Sequence, residues 1–208
     1  MVAIAQKTLS FEEFLNWDDE SGRSFELVNG VAMPLSEPTA KHEDVVDGLC
    51  HLLVDHCQSL NLPYVPRQSK QVRLNAIPCE SESSRKADIV VFAKEEWARM
   101  RQSSASAAAY IPPPLAIEVV STNWRDDYFF KAFDYEEMGI PEYWIVDYLG
   151  LGGRKFIGNP KQPTLSVYQL VDGEYQVKQF RGSETIESLA FPGLKLTAEQ
   201  IFRAGLPN

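Results

Sequence analysis

Two carboxylates stand inside apolar, strand-like runs of this sequence, a setting that points to metal chemistry. Glu118 interrupts the run LAIEVVSTNW at 115–124, and Asp88 opens ADIVVFA at 87–93. A buried carboxylate costs free energy unless a metal ion or a paired cation compensates its charge. The Ile and Val runs are too short for helices and predict strands. We therefore expect Asp88 and Glu118 to form a divalent-metal site.

Both carboxylates also have simpler interpretations. Glu118 could be a buried carboxylate that backbone groups or an arginine satisfy, and Asp88 could be a polar residue at a strand edge. Because side chains alternate along a strand, Glu118 shares its face with Ala116 and Val120, while Ile117 and Val119 point to the core on the other side.

A helix and a second strand follow Glu118 directly. Asp127, Lys131 and Tyr135 recur every four residues in segment 125–139 and so share one stripe of the predicted helix. Its apolar flank is predicted to consist of Phe129, Phe130, Ala132 and Phe133. Gly139 ends the helix, and a strand follows at 143–147. A strand–helix–strand unit of about thirty residues predicts a right-handed parallel crossover, which packs the Lys131 helix over the Glu118 sheet.

The remaining patterns indicate an α/β fold. Hairpin turns are predicted at Asn29-Gly30 and Asp172-Gly173, a helix at 40–58 and a strand at 64–74. Capping boxes are predicted at Ser10–Glu13 and Thr197–Gln200, and the segments 79–86 and 101–109 are predicted as mobile loops near the substrate. We predict one domain over residues 1–208, with a mixed central sheet flanked by helices and additional β-hairpins.

Composition limits the classes of function. The 208 residues carry a net charge of −9, which argues against a high-affinity, non-specific DNA-binding protein but not against a nuclease. Basic residues still gather locally, and this group is either a solvated face or a nucleic-acid surface. Its members are Arg67, Lys70, Arg73, Arg85, Lys86, Arg99 and Arg101.

The expected location is the cytoplasm, with no membrane association. No run approaches the length of a membrane span, and the N-terminus lacks a secretory signature. Cys50 and Cys57 lie seven residues apart on one helical face and are predicted to pack in the core.

Several motifs in register resemble one family. Asp88 is followed by EVVS at 118–121, D-x-x-x-K at 127–131, and GIPEYWIVD at 139–147. This pattern resembles the Uma-type family of putative restriction endonucleases, within the PD-(D/E)XK nuclease superfamily. The resemblance implies that residues 1–208 form a single restriction-endonuclease-like domain. FELVNG at 25–30, His42, Tyr135 and FPGL at 191–194 extend the resemblance over most of the chain.

The resemblance implies a Mg²⁺-dependent endonuclease that hydrolyses DNA phosphodiester bonds. Asp88 and Glu118 would hold Mg²⁺, with Mn²⁺ as a substitute and the main-chain carbonyl of Val119 as a further ligand. Lys131 would orient the attacking water or neutralise developing charge, and Asp127 would orient Lys131. A homodimer is expected for an enzyme that must cut both strands.

Two positions depart from the superfamily pattern. Ala87 replaces the proline expected before Asp88, and Val120 occupies the position of the lysine in E-x-K. In the Uma-type pattern the lysine lies instead on the following helix, and Lys131 occupies that position here. We expect Lys131→Met to abolish cleavage while leaving metal binding and thermal stability nearly intact.

Other assignments are supporting ones, each with an alternative. Glu26 is either an additional site carboxylate or a solvent-facing strand residue, and His42 is assigned to the site only through the resemblance. Asp127 and Lys131 could form an ordinary exposed i, i+4 ion pair. For the whole chain, the alternative is a catalytically weak or inactive nuclease-fold protein that serves as a binding or regulatory module.

Overall fold

The computed structural model describes residues 8–74, 81–104 and 106–206. Helices in this part of the chain flank a mixed sheet, as the sequence predicted. The strands are β1 (Phe25–Val28), β2 (Val31–Pro34), β3 (Tyr64–Arg73), β4 (Ser84–Ala93), β5 (Leu115–Val119), β6 (Glu142–Asp147), β7 (Thr164–Val171) and β8 (Glu174–Phe180). The α-helices are α1 (Phe11–Leu15), α2 (Ala40–Ser59), α3 (Lys94–Arg101), α4 (Ala132–Met138), α5 (Arg154–Ile157) and α6 (Ala198–Phe202), and a π-helix at Asp126–Lys131 leads directly into α4.

The sheet order is β2-β1-β4-β5-β6-β7-β8, and β3 pairs with the other edge of β4. Strands β5 and β6 are parallel and joined through the π-helix and α4, which confirms the predicted crossover. The remaining pairs are antiparallel, and the two hairpins turn at Asn29-Gly30 and Asp172-Gly173 as predicted. Both predicted capping boxes are present, at α1 and α6.

Each face of the sheet has its own apolar core. Helices α2 and α6 cover one face, where Ile117, Val119 and the buried Cys50 and Cys57 pack. The π-helix and α4 lie on the other face, against Ala116 and Val120. The alternation predicted around Glu118 is therefore confirmed. A smaller cluster around Phe11 and Leu27 joins α1 to β1.

Two loop predictions were wrong in part, and one helix was not predicted. Within the predicted loop 79–86, of which residues 79–80 lie outside the described residues, residues 84–86 belong to β4, because Ser84 and its neighbours pair with β3. The end of the predicted loop 101–109 is buried: Ala108 packs near Phe11, and Ala109 bridges to Val72. Helix α3, which begins at Lys94, was not predicted.

The apolar flank predicted for the crossover helix lies mostly on its outer side. Phe129, Phe130 and Phe133 are exposed, whereas Asp127 and Tyr135 on the other side of the same helix are buried. The predicted polar stripe, and not the phenylalanines, packs against the sheet.

No helix within the described ranges combines the length and the apolar character that a membrane crossing requires.

Candidate active site

The register of two antiparallel strands places Asp88 opposite Glu118. The pairs Ile89–Ile117 and Val90–Ala116 set this register, and its continuation brings the two carboxylates to the same face of the sheet. Glu118 is only 1% exposed, while Asp88 is half-buried. The shared face is the geometry that a common cation requires.

Lys131 extends its ammonium from the crossover helix to Glu118. Its Nζ lies 2.8 Å from Glu118 Oε2 and 3.4 Å from Asp127 Oδ1. The Tyr135 hydroxyl donates to Glu118 Oε1 at 2.8 Å. The Tyr143 hydroxyl donates to the Asp127 carbonyl and ties the helix to β6. Asp127 and Lys131 are both buried, so their contact is not the exposed ion pair of the alternative interpretation.

His42 reaches the same place from the first turn of α2. Its Nε2 lies 2.9 Å from the Val119 carbonyl oxygen and 3.3 Å from Asp88 Oδ2. The Val119 N–H also donates to Asp88 Oδ2, at 2.8 Å. His42 is buried, although most histidines at a helix start are not. It links Asp88 and the carbonyl beside Glu118 into one cluster.

The electrostatics of the cluster are dominated by crowded carboxylates. Burial raises the pKa of Glu118, and the charges of Asp88 and Asp127 raise it further, against the opposing effect of Lys131. Burial likewise raises the pKa of Asp127. Although burial disfavours its charged form, Lys131 has a strongly raised pKa because Glu118 and Asp127 are close. The charges of four carboxylates, Glu118, Asp127, Glu26 and Asp88, thus act on one ammonium.

The pKa of His42 is governed by Asp88. Burial lowers this pKa, but the hydrogen bond and the charge of Asp88 outweigh that effect and raise it to about 9. His42 is therefore a second cation of the cluster at neutral pH. The Asp88–His42 contact and the Glu118–Lys131 contact each pair one carboxyl group with one cation, and the raised pKa of Asp127 means that this third carboxyl group keeps its proton more readily than a free one.

A cleft of about 420 Å³ opens onto these residues. Asp88, Glu118, Val119, Asp127 and Lys131 line it, and so does the exposed segment 121–123.

Ser69 and Lys86 are among the lining residues that were not assigned to the site from the sequence. Ser69 stands opposite Asp88 on β3 with a φ of 52°, in the left-handed region that serine rarely adopts. No local pattern signals such a residue. Lys86 could have been found from the alternation of β4, which places it two residues before Asp88.

Glu26 lies away from the cleft wall. It is buried and accepts hydrogen bonds from Arg85 Nη1 at 3.1 Å and from the Lys86 N–H at 2.9 Å. Arg85 also donates to Asp134 at 2.6 Å. Glu26 is thus neither solvent-facing nor in contact with Asp88 or Glu118. Its carboxylate instead fixes the junction of β1 and β4.

The donors fit a hard divalent cation. Within the described ranges, no group of three or more His, Cys, Asp and Glu side chains is arranged to hold a metal ion. The oxygen set is two carboxylates and the Val119 carbonyl, and such partial sets suit Mg²⁺, which keeps several waters and takes substrate phosphate oxygens. The charges of Asp88 and Asp127, which add to the effect of burial in raising the pKa of Glu118, would be offset by a bound cation.

The predicted basic group does not form one open surface. Arg73 pairs with Glu82, Arg85 with Glu26 and Asp134, and Arg99 with Glu96. Arg67 stacks on Trp97, with 4.6 Å from Cζ to the ring centroid. These side chains mostly serve internal contacts, and Lys86 is the member that lines the cleft.

Comparisons with known proteins agree with this architecture. The family model Uma2, described as "Putative restriction endonuclease", matches residues 11–199. A solved structure, a putative nuclease belonging to DUF820 from Anabaena variabilis, superposes with a TM-score of 0.72 over 97% of this chain and 100% of that chain, at 16% identity. No curated protein shows significant similarity to the sequence.

Proposed function

Because this chain belongs to the Uma2 family of putative restriction endonucleases, we propose that its cleft hydrolyses nucleic-acid phosphodiester bonds with a divalent metal. The observation that carries the proposal is the convergence of Asp88, Glu118 and Lys131 from two strands and a helix on one cleft. Two carboxylates on one face of the sheet, one of them paired with a cation, are the groups that metal-assisted phosphoryl chemistry uses.

Each residue has a distinct role in this mechanism. Asp88, Glu118 and the Val119 carbonyl would hold Mg²⁺ or Mn²⁺. When bound, that ion supplies Lewis-acid polarisation of a phosphoryl oxygen and activation of water. Lys131 holds its ammonium where charge develops on the phosphate or where the attacking water must be oriented. Asp127 and Tyr135 position Lys131 and Glu118 through the 3.4 Å and 2.8 Å contacts.

His42 is a positioning residue in this scheme. Its Nε2 bridges the Val119 carbonyl and Asp88, two of the three proposed metal ligands. It therefore orients the ligands in the way that outer-shell partners do in metal sites. DNA is the proposed substrate, and Lys86 on the cleft wall is available to a phosphate.

A cleavage assay tests the function directly. Supercoiled and linear DNA are incubated with the protein and Mg²⁺, Mn²⁺ or EDTA, and nicked and cut products are separated on a gel. Cleavage is expected with either metal and not with EDTA. Asp88→Asn and Glu118→Gln should each abolish it, while Asp172→Asn in the β7–β8 turn should not. Cleavage that persists in EDTA or in both site variants contradicts the proposal.

The binding or regulatory module remains the second candidate because the carboxylates are already engaged. Glu118 accepts from Lys131 and Tyr135, and Asp88 accepts from Val119 and contacts His42. Such internal pairing would make the cluster a structural element. Calorimetric titration with Mn²⁺ separates the two candidates, because only the nuclease requires binding that Asp88→Asn weakens.

A further inference from the structure

The outer side of the crossover helix exposes three aromatic rings. Phe129, Phe130 and Phe133 are 47%, 59% and 60% exposed. Large apolar side chains that gather on a surface commonly mark an interaction site. Lys131 lies between them in sequence and points inward to Glu118, so the same turns carry the proposed chemistry inside and these rings outside.

The exposed rings continue towards the cleft. The Phe129 ring centroid lies 5.0 Å from that of Phe156 and 6.3 Å from that of Trp124. Trp124 follows Asn123, which lines the cleft, and packs beside Gly153. We call this surface the aromatic ledge, and it consists of Trp124, Phe129, Phe130, Phe133 and Phe156.

Cationic side chains stand against the ledge. The Arg125 guanidinium lies over Trp124, 4.6 Å from Cζ to the ring centroid, and Lys155 Nζ lies 5.5 Å from the Phe156 centroid. Both cations are exposed. The same helical segment also carries acids: Asp126 accepts a hydrogen bond from Asn123, Asp134 pairs with Arg85, Glu136 accepts from the Tyr175 N–H, and Glu137 lies one turn after Phe133. At the Trp124–Phe156 end of the ledge, next to the cleft, Arg125 and Lys155 offer positive charge to phosphate groups on an otherwise acidic protein.

We propose that the aromatic ledge stacks unpaired bases, so that the substrate enters the cleft as a single strand or a locally opened duplex. This inference rests on the proposed nuclease function and names its substrate class. With a net charge of −9 and several arginines in internal ion pairs, phosphate contacts supply little affinity. Stacking on aromatic side chains supplies it instead, and only unpaired bases present their faces.

A second copy of this chain is the competing occupant. A two-fold interface through the ledge places the same patch of both subunits together, with Arg125 and Lys155 of one copy close to those of the other. Like charges at an interface oppose association, whereas phosphates favour these cations. The charge of the ledge therefore favours nucleic acid.

Binding is measured by fluorescence anisotropy in EDTA, which prevents cleavage. The probes are labelled single-stranded DNA, single-stranded RNA of the same sequence, and the DNA duplex. Single strands are expected to bind more tightly than the duplex. Comparison of the single-stranded DNA and RNA probes identifies which nucleic acid the protein prefers. Binding should change little with salt, since few phosphates are neutralised.

Matched variants separate stacking from general apolar contact. The Phe130→Ala/Phe133→Ala pair should weaken single-strand binding by about fivefold or more. Substitution of both residues by Tyr should preserve it, and substitution of both by Leu should weaken it as Ala does. Leu189→Ala is the control, because Leu189 is 65% exposed beside the Glu142 end of β6, opposite the cleft end, and should have no effect.

Three results overturn the inference. The first is equal binding of duplex and single strand, and the second is wild-type binding by the variant in which Phe130 and Phe133 are both replaced by Leu. The third is a wild-type protein that sediments as a dimer and becomes a monomer when both residues are replaced by Ala. Failure of the proposed function looks different. Single-strand binding that depends on Phe130 and Phe133, with no cleavage in any metal, removes the nuclease function and supports the ledge. Metal-dependent cleavage that is insensitive to these substitutions removes the ledge alone.

Discussion

Replacing Lys131 with methionine should destabilise the metal-free protein, contrary to the sequence-based expectation of unchanged stability. Lys131 and its partner Glu118 have side chains only 12% and 1% exposed, and Asp127 lies on the other side of the ammonium. Removing the cation leaves two buried carboxylates without compensation. Breaking a buried ion pair in this way costs about 3–5 kcal/mol. For a chain of this size the midpoint of thermal unfolding should fall by roughly 6–20 °C.

The loss of stability in Lys131→Met should grow as the pH rises. In the folded variant the pKa of Glu118, which burial already raises, rises further when the ammonium is gone. A carboxyl whose folded pKa exceeds its unfolded value weakens folding above the unfolded pKa, and the penalty grows until the folded pKa is passed. The variant should therefore approach the wild type near pH ~5 and differ most above pH ~8. Added Mg²⁺ should restore part of the loss, because a bound cation compensates the same carboxylates.

Urea unfolding followed by circular dichroism, in EDTA and in Mg²⁺, measures this effect. Lys178→Met is the matched control, because the Lys178–Glu187 pair is 58% and 69% exposed and a surface pair contributes only about 0–1 kcal/mol. Cleavage should be abolished in Lys131→Met even at temperatures where it is fully folded. If the free energy of unfolding of Lys131→Met in EDTA near pH ~8 equals that of Lys178→Met, the charge-compensation argument is refuted.

Two further predictions concern the residues around this centre. In the metal-free wild type, NMR titration should give His42 a pKa near 9. The stability that the His42–Asp88 pair contributes should be complete below pH 6.5 and should be lost as the pH rises through about 9. Asp88→Asn should return this pKa towards 6.5, and an unchanged value would show that Asp88 is not its cause. Glu26→Gln should reduce the free energy of unfolding by about 1–3 kcal/mol, because Arg85 and the Lys86 N–H lose a charged acceptor, yet leave cleavage by the folded protein nearly unchanged. A loss of cleavage without a loss of stability would instead show that Glu26 acts in the site.

The crossover and the sheet could be predicted because their signals are local. The apolar alternation around Glu118, the stop at Gly139 and the two hairpin turns each fix a nearby backbone conformation. Those signals also placed Asp88 and Glu118 on strands with the correct faces. Their mutual distance came from the β4–β5 register, which strand alternation alone does not define.

The helix faces could not be assigned from hydrophobicity. An amphipathic helix usually buries its apolar side, and by that rule alone Phe129, Phe130 and Phe133 would lie in the core. The helix here buries the polar stripe because Glu118 on the sheet provides partners for Lys131 and Tyr135. Which face of such a helix is buried can be predicted only when the surface against which it packs is known.

Contacts between residues that are far apart in the sequence could not be predicted either. His42 contacts a carbonyl 77 residues further along the chain, and no spacing rule connects them. The polar start of β4 was taken for a loop because Arg85 and Lys86 are unusual in a sheet interior. Their charges are matched by Glu26 and Asp134, which come from other elements.

The π-helix makes chain length between Asp126 and Lys131 a functional quantity. Its wider turn holds one more residue than an α-helical turn would, and π-turns are often found at functional sites. Deleting one residue there would convert the wide turn into an α-helical turn and leave the residues after it at nearly the same angle, because the extra residue is accommodated within the turn itself. Tyr135 would then keep its contact with Glu118, while the spacing of Asp127 and Lys131 within the turn would change. A single-codon deletion would therefore act on the ammonium of the site and its positioning carboxylate without moving the rest of the helix or the sheet.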